Sequence, residues 1–373
     1  MLIAGEASGD LLAAELVAAL RGQFPDAQFF GAGGAKMAAA GVDSAFDLTQ
    51  HSVIGVTDVL KKYFVFRRMF NQLLALAIER KPDVVICIDF GGFNLRFGSA
   101  VKKYVRENPF STWNPKIVQF VSPQVWASRP GRADKLARDY DLLLSIFPFE
   151  KAWYAQRAPK LRVEFVGHPM VERMQKEELR MQKNISAPIV LLLPGSRNSE
   201  LQRHLPVMLD SLKLIQEKLP AVKAKMVLPN PALVSLAKSL GADVEIQIGE
   251  LPWALAETDV ALASTGTVTM ECAFFGVPTV TLYKTSWLTY QIARRIVTVK
   301  SLTMPNLLEG ETVYPEFIQS EATPENLSRA ALELLQDESR RTQIKAQLAK
   351  IIASLGEPGA AGRAAVAILS LFK

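Results

Sequence analysis

An uninterrupted apolar run that stops at a glycine turn limits this chain more than any other feature. Residues 189–193 read Ile-Val-Leu-Leu-Leu, the next four are Pro194-Gly195-Ser196-Arg197, and a helix-compatible segment follows. A strand that is apolar on both faces must be covered on both faces, as in a parallel sheet packed between helices. Such a strand delivers a tight turn, a hydroxyl and a guanidinium to one edge of its sheet. Further along, Val260-Ala261-Leu262-Ala263-Ser264 runs into Thr265-Gly266-Thr267 and then a helix that carries Glu271. Two such turns in one half of the chain suit phosphate groups, because amides at a helix start point outward and the helix dipole favours an anion there.

The same grammar extends over the whole sequence. Strands are expected at 2–4, 27–30, 83–88, 116–121, 140–146 and 163–166, and again at 189–193, 224–228, 244–248, 260–263 and 279–282, with helices in the gaps. Strands alternating with helices mark a doubly wound parallel sheet. Segment 167–187 is charged and poor in strand signal, and reads as the connection between two domains, 1–166 and 188–352. A final segment, 353–373, passes through Gly356-Glu357-Pro358-Gly359 into an amphipathic helix. The expected fold class is α/β, with two Rossmann-like domains facing a central cleft, since open sheets of this kind bind ligands at the carboxyl ends of their strands. A length of 373 residues accommodates two such domains.

Composition excludes several classes. With 49% hydrophobic and 21% charged residues the chain is globular rather than disordered. Its 43 Lys+Arg against 37 Asp+Glu give a net charge of +6. That suits sugar phosphates or acidic lipid and falls short of a nucleic-acid signature. Cys87 and Cys272 lie far apart on apolar segments, as buried thiols of a reducing compartment do. Three histidines without ligand spacing give no metal site. The chain opens directly into a strand and a glycine turn without a signal peptide, and no apolar run reaches transmembrane length, so a cytoplasmic location is expected. Neither Gly5-x-x-x-Gly9 nor Gly31-x-Gly33-Gly34 has dinucleotide spacing, and no ribose-binding acid closes the second strand, so no nicotinamide cofactor is expected.

Candidate site residues gather at strand ends. Glu6, Ser8 and Asp10 follow the first strand. Ser8 and Asp10 suit a cap for a helix starting at Leu11, whereas Glu6 precedes that cap and faces the cleft. Asp89 closes the most apolar strand of the first half and is followed by Phe90-Gly91-Gly92-Phe93-Asn94. It is either a helix-capping acid or a base with room beside it for a ligand. Trp126, in Ser122-Pro123-Gln124-Val125-Trp126-Ala127, either stacks on a sugar face or packs its own loop. Glu271 either accepts from ribose hydroxyls or complements a helix start. Two basic, aromatic stretches stand apart: 59–70, with Lys61, Lys62, Phe64, Phe66, Arg67 and Arg68, and 287–297, with Trp287, Arg294 and Arg295. Each suits a helix lying on an anionic bilayer, where a Lys or Arg is worth about 1 kcal/mol. The alternative is an amphipathic helix packed on its own domain with snorkelling basic side chains.

Taken in order, Gly5-Glu6-Ala7-Ser8-Gly9-Asp10, Ile88-Asp89 with Phe93-Asn94, the Ser122–Ala127 segment above, Phe147-Pro148-Phe149-Glu150, Gly167-His168-Pro169, Leu193-Pro194-Gly195-Ser196-Arg197, Ser264-Thr265-Gly266-Thr267 with Glu271, and Pro305-Asn306-Leu307-Leu308 closely resemble the lipid-A-disaccharide synthase family over nearly the whole chain. The resemblance implies an inverting glycosyltransferase of the GT-B type that needs no metal or cofactor. Such an enzyme joins UDP-2,3-diacylglucosamine to 2,3-diacylglucosamine 1-phosphate, giving UDP and the β-1,6-linked lipid A disaccharide 1-phosphate of Gram-negative bacteria. The first domain is then the acceptor and lipid side, and the second binds the UDP-sugar. The resemblance further implies a protein peripheral on the cytoplasmic face of the inner membrane, with segment 353–373 expected to return to the first domain or to be exchanged in a homodimer.

Carried onto this sequence, the resemblance gives Arg197, Ser196, Ser264, Thr265, Gly266 and Thr267 to the diphosphate, Glu271 to the ribose and Asn306 to the sugar site. Asp89 becomes the base for the acceptor's 6-hydroxyl, with Glu6, Ser8 and Asn94 lining the acceptor side. The two basic stretches become membrane and acyl-chain contacts. Three features depart from the family pattern: a short first strand, Gly91 where proline is usual, and Ser128 where a second tryptophan is usual. The runner-up is another UDP-sugar enzyme of the same shape, a 2-epimerase or a soluble glycosyltransferase, which would share the nucleotide cradle without the basic aromatic stretches.

Overall fold

The computed structural model describes residues 1–51, 59–178 and 187–373. The chain divides into two compact units, Met1–Pro169 together with Leu355–Lys373, and Met170–Ser354. Each is built on one parallel sheet.

In the first unit the strands are β1 (Leu2–Ala4), β2 (Phe30–Gly33), β3 (Asp43–Asp47), β4 (Val84–Ile88), β5 (Lys116–Phe120), β6 (Leu142–Ser145) and β7 (Val163–Phe165), in the order β3-β2-β1-β4-β5-β6-β7. The apolar run of β4 pairs with β1 on one side and β5 on the other, so Ile3, Ile88, Ile117 and Phe120 are fully buried. Helix Val59–Arg80 packs on helix Gly91–Glu107, which packs on helix Arg132–Asp139. The last helix, Ala360–Leu369, packs on helix Ala7–Gln23 with its alanines Ala360, Ala364 and Ala365 buried. It is fastened there by Arg363, whose Nε donates to the Val166 carbonyl at 2.8 Å, and by the His168 amide, which donates to the Leu355 carbonyl at 2.9 Å.

The second unit holds β8 (Ile189–Leu193), β9 (Lys223–Leu228), β10 (Glu245–Ile248), β11 (Val260–Ser264), β12 (Thr279–Tyr283) and β13 (Glu316–Ile318), ordered β10-β9-β8-β11-β12-β13. Val190 to Leu192 and Val260 to Ala263 are fully buried at the centre of this sheet. A parallel sheet enclosed on both faces accounts for these continuous apolar runs.

Three sequence expectations shift. The second strand occupies Phe30–Gly33 rather than 27–30. Gly31 and Gly33 lie within the strand, where a Cβ on Gly31 would be 1.8 Å from the Leu2 carbonyl oxygen of β1. Strands β3 and β13 were not expected; both lie at sheet edges, where half-solvated residues carry no apolar run. The first helix begins at Ala7 rather than Leu11, and Asp10 does not cap it. Its carboxylate instead accepts from the amides of Gly34 (2.7 Å), Lys36 (2.9 Å) and Met37 (3.1 Å), holding the start of helix Ala35–Ala39.

Candidate active site

Strand order reverses once in each sheet, between β1 and β4 in the first unit and between β8 and β11 in the second. The connections leaving two such strands diverge to opposite faces and open a crevice at the carboxyl ends, the ligand-binding position of open α/β sheets. Glu6 and Ser8 follow β1, and Asp89 follows β4. Ser196 and Arg197 follow β8, and Thr265, Gly266 and Thr267 follow β11. Topology thus sorts the candidates into two groups, one at each unit's switch point.

Asp89 and Phe90 are both left-handed, with φ of +48° and +47°. This turn is clamped by side-chain amides. Asn94 Nδ2 donates to the carbonyls of Ile88 (3.2 Å) and Asp89 (2.9 Å), and Gln119 Nε2 donates to those of Asp89 (3.2 Å) and Val121 (3.1 Å). The Asp89 amide donates to the Phe120 carbonyl at 2.9 Å. Burial raises the Asp89 pKa, opposed by a hydrogen bond from the Phe90 backbone. Glycines bring the two switch-point loops together. The Phe90 ring fills the place of a Gly5 side chain, since a Cβ there would meet it at 2.4 Å, and a Cβ on Gly9 would sit 3.6 Å from that of Asp89. Glu6 and Ser8 are exposed at the start of their helix. A Cβ on Gly91 would lie 2.7 Å from Pro123 Cβ, so this turn has no room for the usual proline.

Asn94 is therefore corrected from a substrate contact to a positioning residue: it is fully buried and spends its donors on the Asp89 turn. Gln119, fully buried and doing the same, was not singled out in the sequence. The two readings of Trp126 are also decided. It is buried, its Nε1 donates to Glu150 Oε1 at 2.9 Å, and its ring meets Phe149 edge-on at 5.0 Å. It packs the loop. Burial pushes the Glu150 carboxyl up to about 7 against hydrogen bonds from Trp126, Ser122 and backbone.

In the second unit, Gly195 has φ +122°, and a Cβ on it would lie 2.6 Å from Glu200 Oε2. Only glycine fits. The Glu200 carboxylate reaches back to the Ser196 amide at 3.0 Å and to the Arg197 guanidinium at 3.2 Å. Arg197 is exposed at the N-cap of helix Asn198–Lys218. The turn is braced from beneath by His204, which is fully buried. Its Nδ1 lies 2.9 Å from the Pro194 carbonyl oxygen, and its Nε2 accepts from the Lys284 amide at 3.0 Å. Burial lowers its pKa, keeping the ring neutral so that Nδ1 donates and Nε2 accepts. Nothing in the sequence pattern marked this histidine.

Across the switch point, Ser264 is buried at the end of β11, while Gly266 and Thr267 are exposed, with open space around Gly266. Burial alone pushes the Glu271 carboxyl up to about 7, and it finds no hydrogen-bond partner among the described residues. Asn306, expected at the sugar site, is committed elsewhere. Its Oδ1 accepts from Val313 (2.9 Å) and Tyr314 (2.8 Å), and its Nδ2 donates to the Tyr314 carbonyl (2.8 Å) and Glu316 Oε1 (2.7 Å). With its donors and acceptor engaged it is a positioning residue rather than a catalytic one.

Of the two basic aromatic stretches, the first lies on helix Val59–Arg80. Phe64, Arg67 and Arg68 are exposed there, and the side chains of Lys61 and Lys62 lie outside the described residues. Phe66 is half-buried, its ring 6.1 Å from Phe90 and 6.5 Å from Phe93. The second stretch forms helix Trp287–Ile296, which buries no residue; Trp287 is 73% exposed and Arg294 and Arg295 are exposed. Among the described residues no helix is long and apolar enough to cross a membrane, and no group of three or more His, Cys, Asp or Glu is arranged to hold a metal.

The sequence profile of the lipid-A-disaccharide synthetase family matches residues 1–369. This chain belongs to that family. It is 37% identical to the lipid-A-disaccharide synthase of Trichlorobacter lovleyi, covering 100% of this chain and 97% of the relative. Identity to the enzyme of Myxococcus xanthus is 35% with the same coverage. As a lipid-A-disaccharide synthase family member, the protein is a glycosyltransferase. Among solved structures, the UDP-GlcNAc 2-epimerase of Methanocaldococcus jannaschii in complex with UDP-GlcNAc and UDP matches with a TM-score of 0.62 over 99% of each chain at 14% identity. That likeness shows a shared GT-B-type fold. An epimerase reading rests on 14% identity against 37% for the synthases, and is set aside.

Proposed function

We propose that the protein transfers the diacylglucosaminyl group of UDP-2,3-diacylglucosamine to the 6-hydroxyl of 2,3-diacylglucosamine 1-phosphate. The observation that carries this reading is the sorting of residues by switch point: a partly desolvated carboxylate in one unit, a glycine-and-hydroxyl cradle with an arginine in the other. Asp89 takes the proton of the 6-hydroxyl as its oxygen attacks the donor's anomeric carbon. The bond from that carbon to the diphosphate oxygen breaks, UDP leaves with the electron pair, and the configuration inverts. Burial raises the basicity of Asp89 towards working pH, as a general base requires. Arg197 and the amides of Gly266 and Thr267 receive the charge that develops on the leaving diphosphate, the Ser196 and Thr265 amides being engaged by Glu200 and Leu282. Glu271, without a hydrogen-bond partner among the described residues, accepts from the ribose.

Both substrates carry acyl chains, so the reading places Phe64, Arg67 and Arg68, and Trp287, Arg294 and Arg295, against an anionic bilayer. Incubating the purified protein with both acylated sugars tests the reaction. The expected result is a lipid product with the disaccharide 1-phosphate mass and an equivalent of UDP. Epimerisation of a UDP-sugar without any disaccharide would overturn it.

A further inference from the structure

Basic side chains on the helices beside the Asp89 turn are neutralised at one end. Lys102 pairs with Asp141 (2.9 Å), Lys103 with Glu107 (3.6 Å), and Arg138 and Arg106 with Asp139 (2.8 and 3.8 Å). At the end nearer Asp89 that pattern stops. Arg96 lies in the second turn of helix Gly91–Glu107, Arg129 is the C-cap of helix Val125–Ser128, and Arg132 opens helix Arg132–Asp139. The Arg132 amide donates to the Arg129 carbonyl at 3.0 Å, which sets these two arginines on one turn. The Tyr140 hydroxyl donates to the Asn94 carbonyl at 2.6 Å, and the Gly91–Pro123 contact closes the other end, so the segment is docked on the helix that Asp89 precedes.

None of the three guanidiniums has a carboxylate partner among the described residues. Arg96 and Arg129 are exposed and Arg132 is half-buried, its pKa lowered by burial first and then by the charges of Arg129 and Arg96. Like charges held together at a sheet's carboxyl edge are a cost to the fold unless an anion sits among them. Guanidinium groups match the oxygens of a phosphate in geometry as well as charge.

We propose that Arg96, Arg129 and Arg132 bind a phosphate monoester, the anomeric phosphate of the acceptor sugar. This rests on the function proposed above, which supplies a sugar phosphate whose hydroxyl must reach Asp89. It assigns the acceptor's phosphate to the first unit and the donor's diphosphate to the second, so the protein tells its two substrates apart by which phosphate site each fills.

The test measures binding of 2,3-diacylglucosamine 1-phosphate and of its dephosphorylated analogue in detergent micelles by calorimetry, with turnover followed in parallel. Wild type is expected to prefer the phosphorylated sugar by about tenfold or more, the scale of charge-assisted hydrogen bonds. Arg129→Gln with Arg132→Gln should abolish that preference with the dephosphorylated sugar unaffected, and Arg129→Lys with Arg132→Lys should restore part of it. A preference that survives the glutamine pair, or equal loss of both ligands, overturns the site. So does a loss of flotation with anionic vesicles at unchanged acceptor affinity, which would assign the arginines to lipid headgroups. A phosphate preference without any disaccharide formed would leave the site standing and overturn the function.

Discussion

Asp89 adopts a left-handed conformation that costs a non-glycine residue of order 1–3 kcal/mol, and Phe90 repeats it. The amides of Asn94 and Gln119, both fully buried, hold that turn from below. Replacing Asp89 with asparagine should cut turnover by about 10²–10⁴ and leave UDP binding near wild type, measured by product formation and nucleotide titration. Because burial raises this pKa, wild-type kcat/KM should fall on the acid side at a higher pH than an ordinary aspartate would set. Glu150 makes a separate claim on stability. Its folded pKa of about 7 exceeds the ordinary 4.5, so the folded protein holds this proton more tightly. The associated stability is complete below about 4.5 and is lost as pH rises through about 7. Chemical denaturation at pH 5 and pH 8 should show a smaller loss in Glu150→Gln than in wild type. Asp89 was legible in the sequence because an acid after an apolar strand is a local pattern. His204 was not, because its partners lie 10 and 80 residues away in sequence.

At the scale of elements, the central strands β4, β8 and β11 and the edge strands β7 and β10 were legible, whereas the edge strands β3 and β13 were not. β8 falls on the expected residues because burial on both faces demands a run that no polar residue interrupts. β3, Asp-Ser-Ala-Phe-Asp, satisfies only one neighbour and carries no such mark. Helices are legible as periods, but a period does not say what covers the apolar face. For helix Trp287–Ile296, the described residues of its own unit bury none of its side chains, and Leu288 and Ile292 are exposed beside Trp287. Trp287→Ser with Leu288→Ser should reduce recovery with anionic vesicles in a flotation assay and leave thermal stability unchanged, since no core contact is lost. Raised salt should weaken wild-type flotation by screening Arg294 and Arg295. Phe66 shows the converse, an aromatic in a basic stretch that joins the ring cluster over the Asp89 turn.

For the whole molecule, the two-sheet grammar was readable because each sheet restarts with an apolar strand and a glycine turn. Strand order was not, because it depends on how each crossover returns, and it is the order that creates a switch point in each sheet. The first unit is also discontinuous: it is left at Pro169 and rejoined at Leu355. A chain ended at Ser354 would uncover the face of helix Ala7–Gln23 that Ala360–Leu369 occupies. Calorimetry should show the first unit melting well below wild type while the second still binds UDP, because apolar burial worth about 25 cal/mol per Å² is removed from one unit only. On the ribosome this connectivity inverts the usual order of events. The portion synthesised first cannot finish folding until the final helix has emerged, whereas the portion synthesised in between can close as soon as its own last strand and helices are out, so the younger half of the nascent protein is expected to become native before the older one.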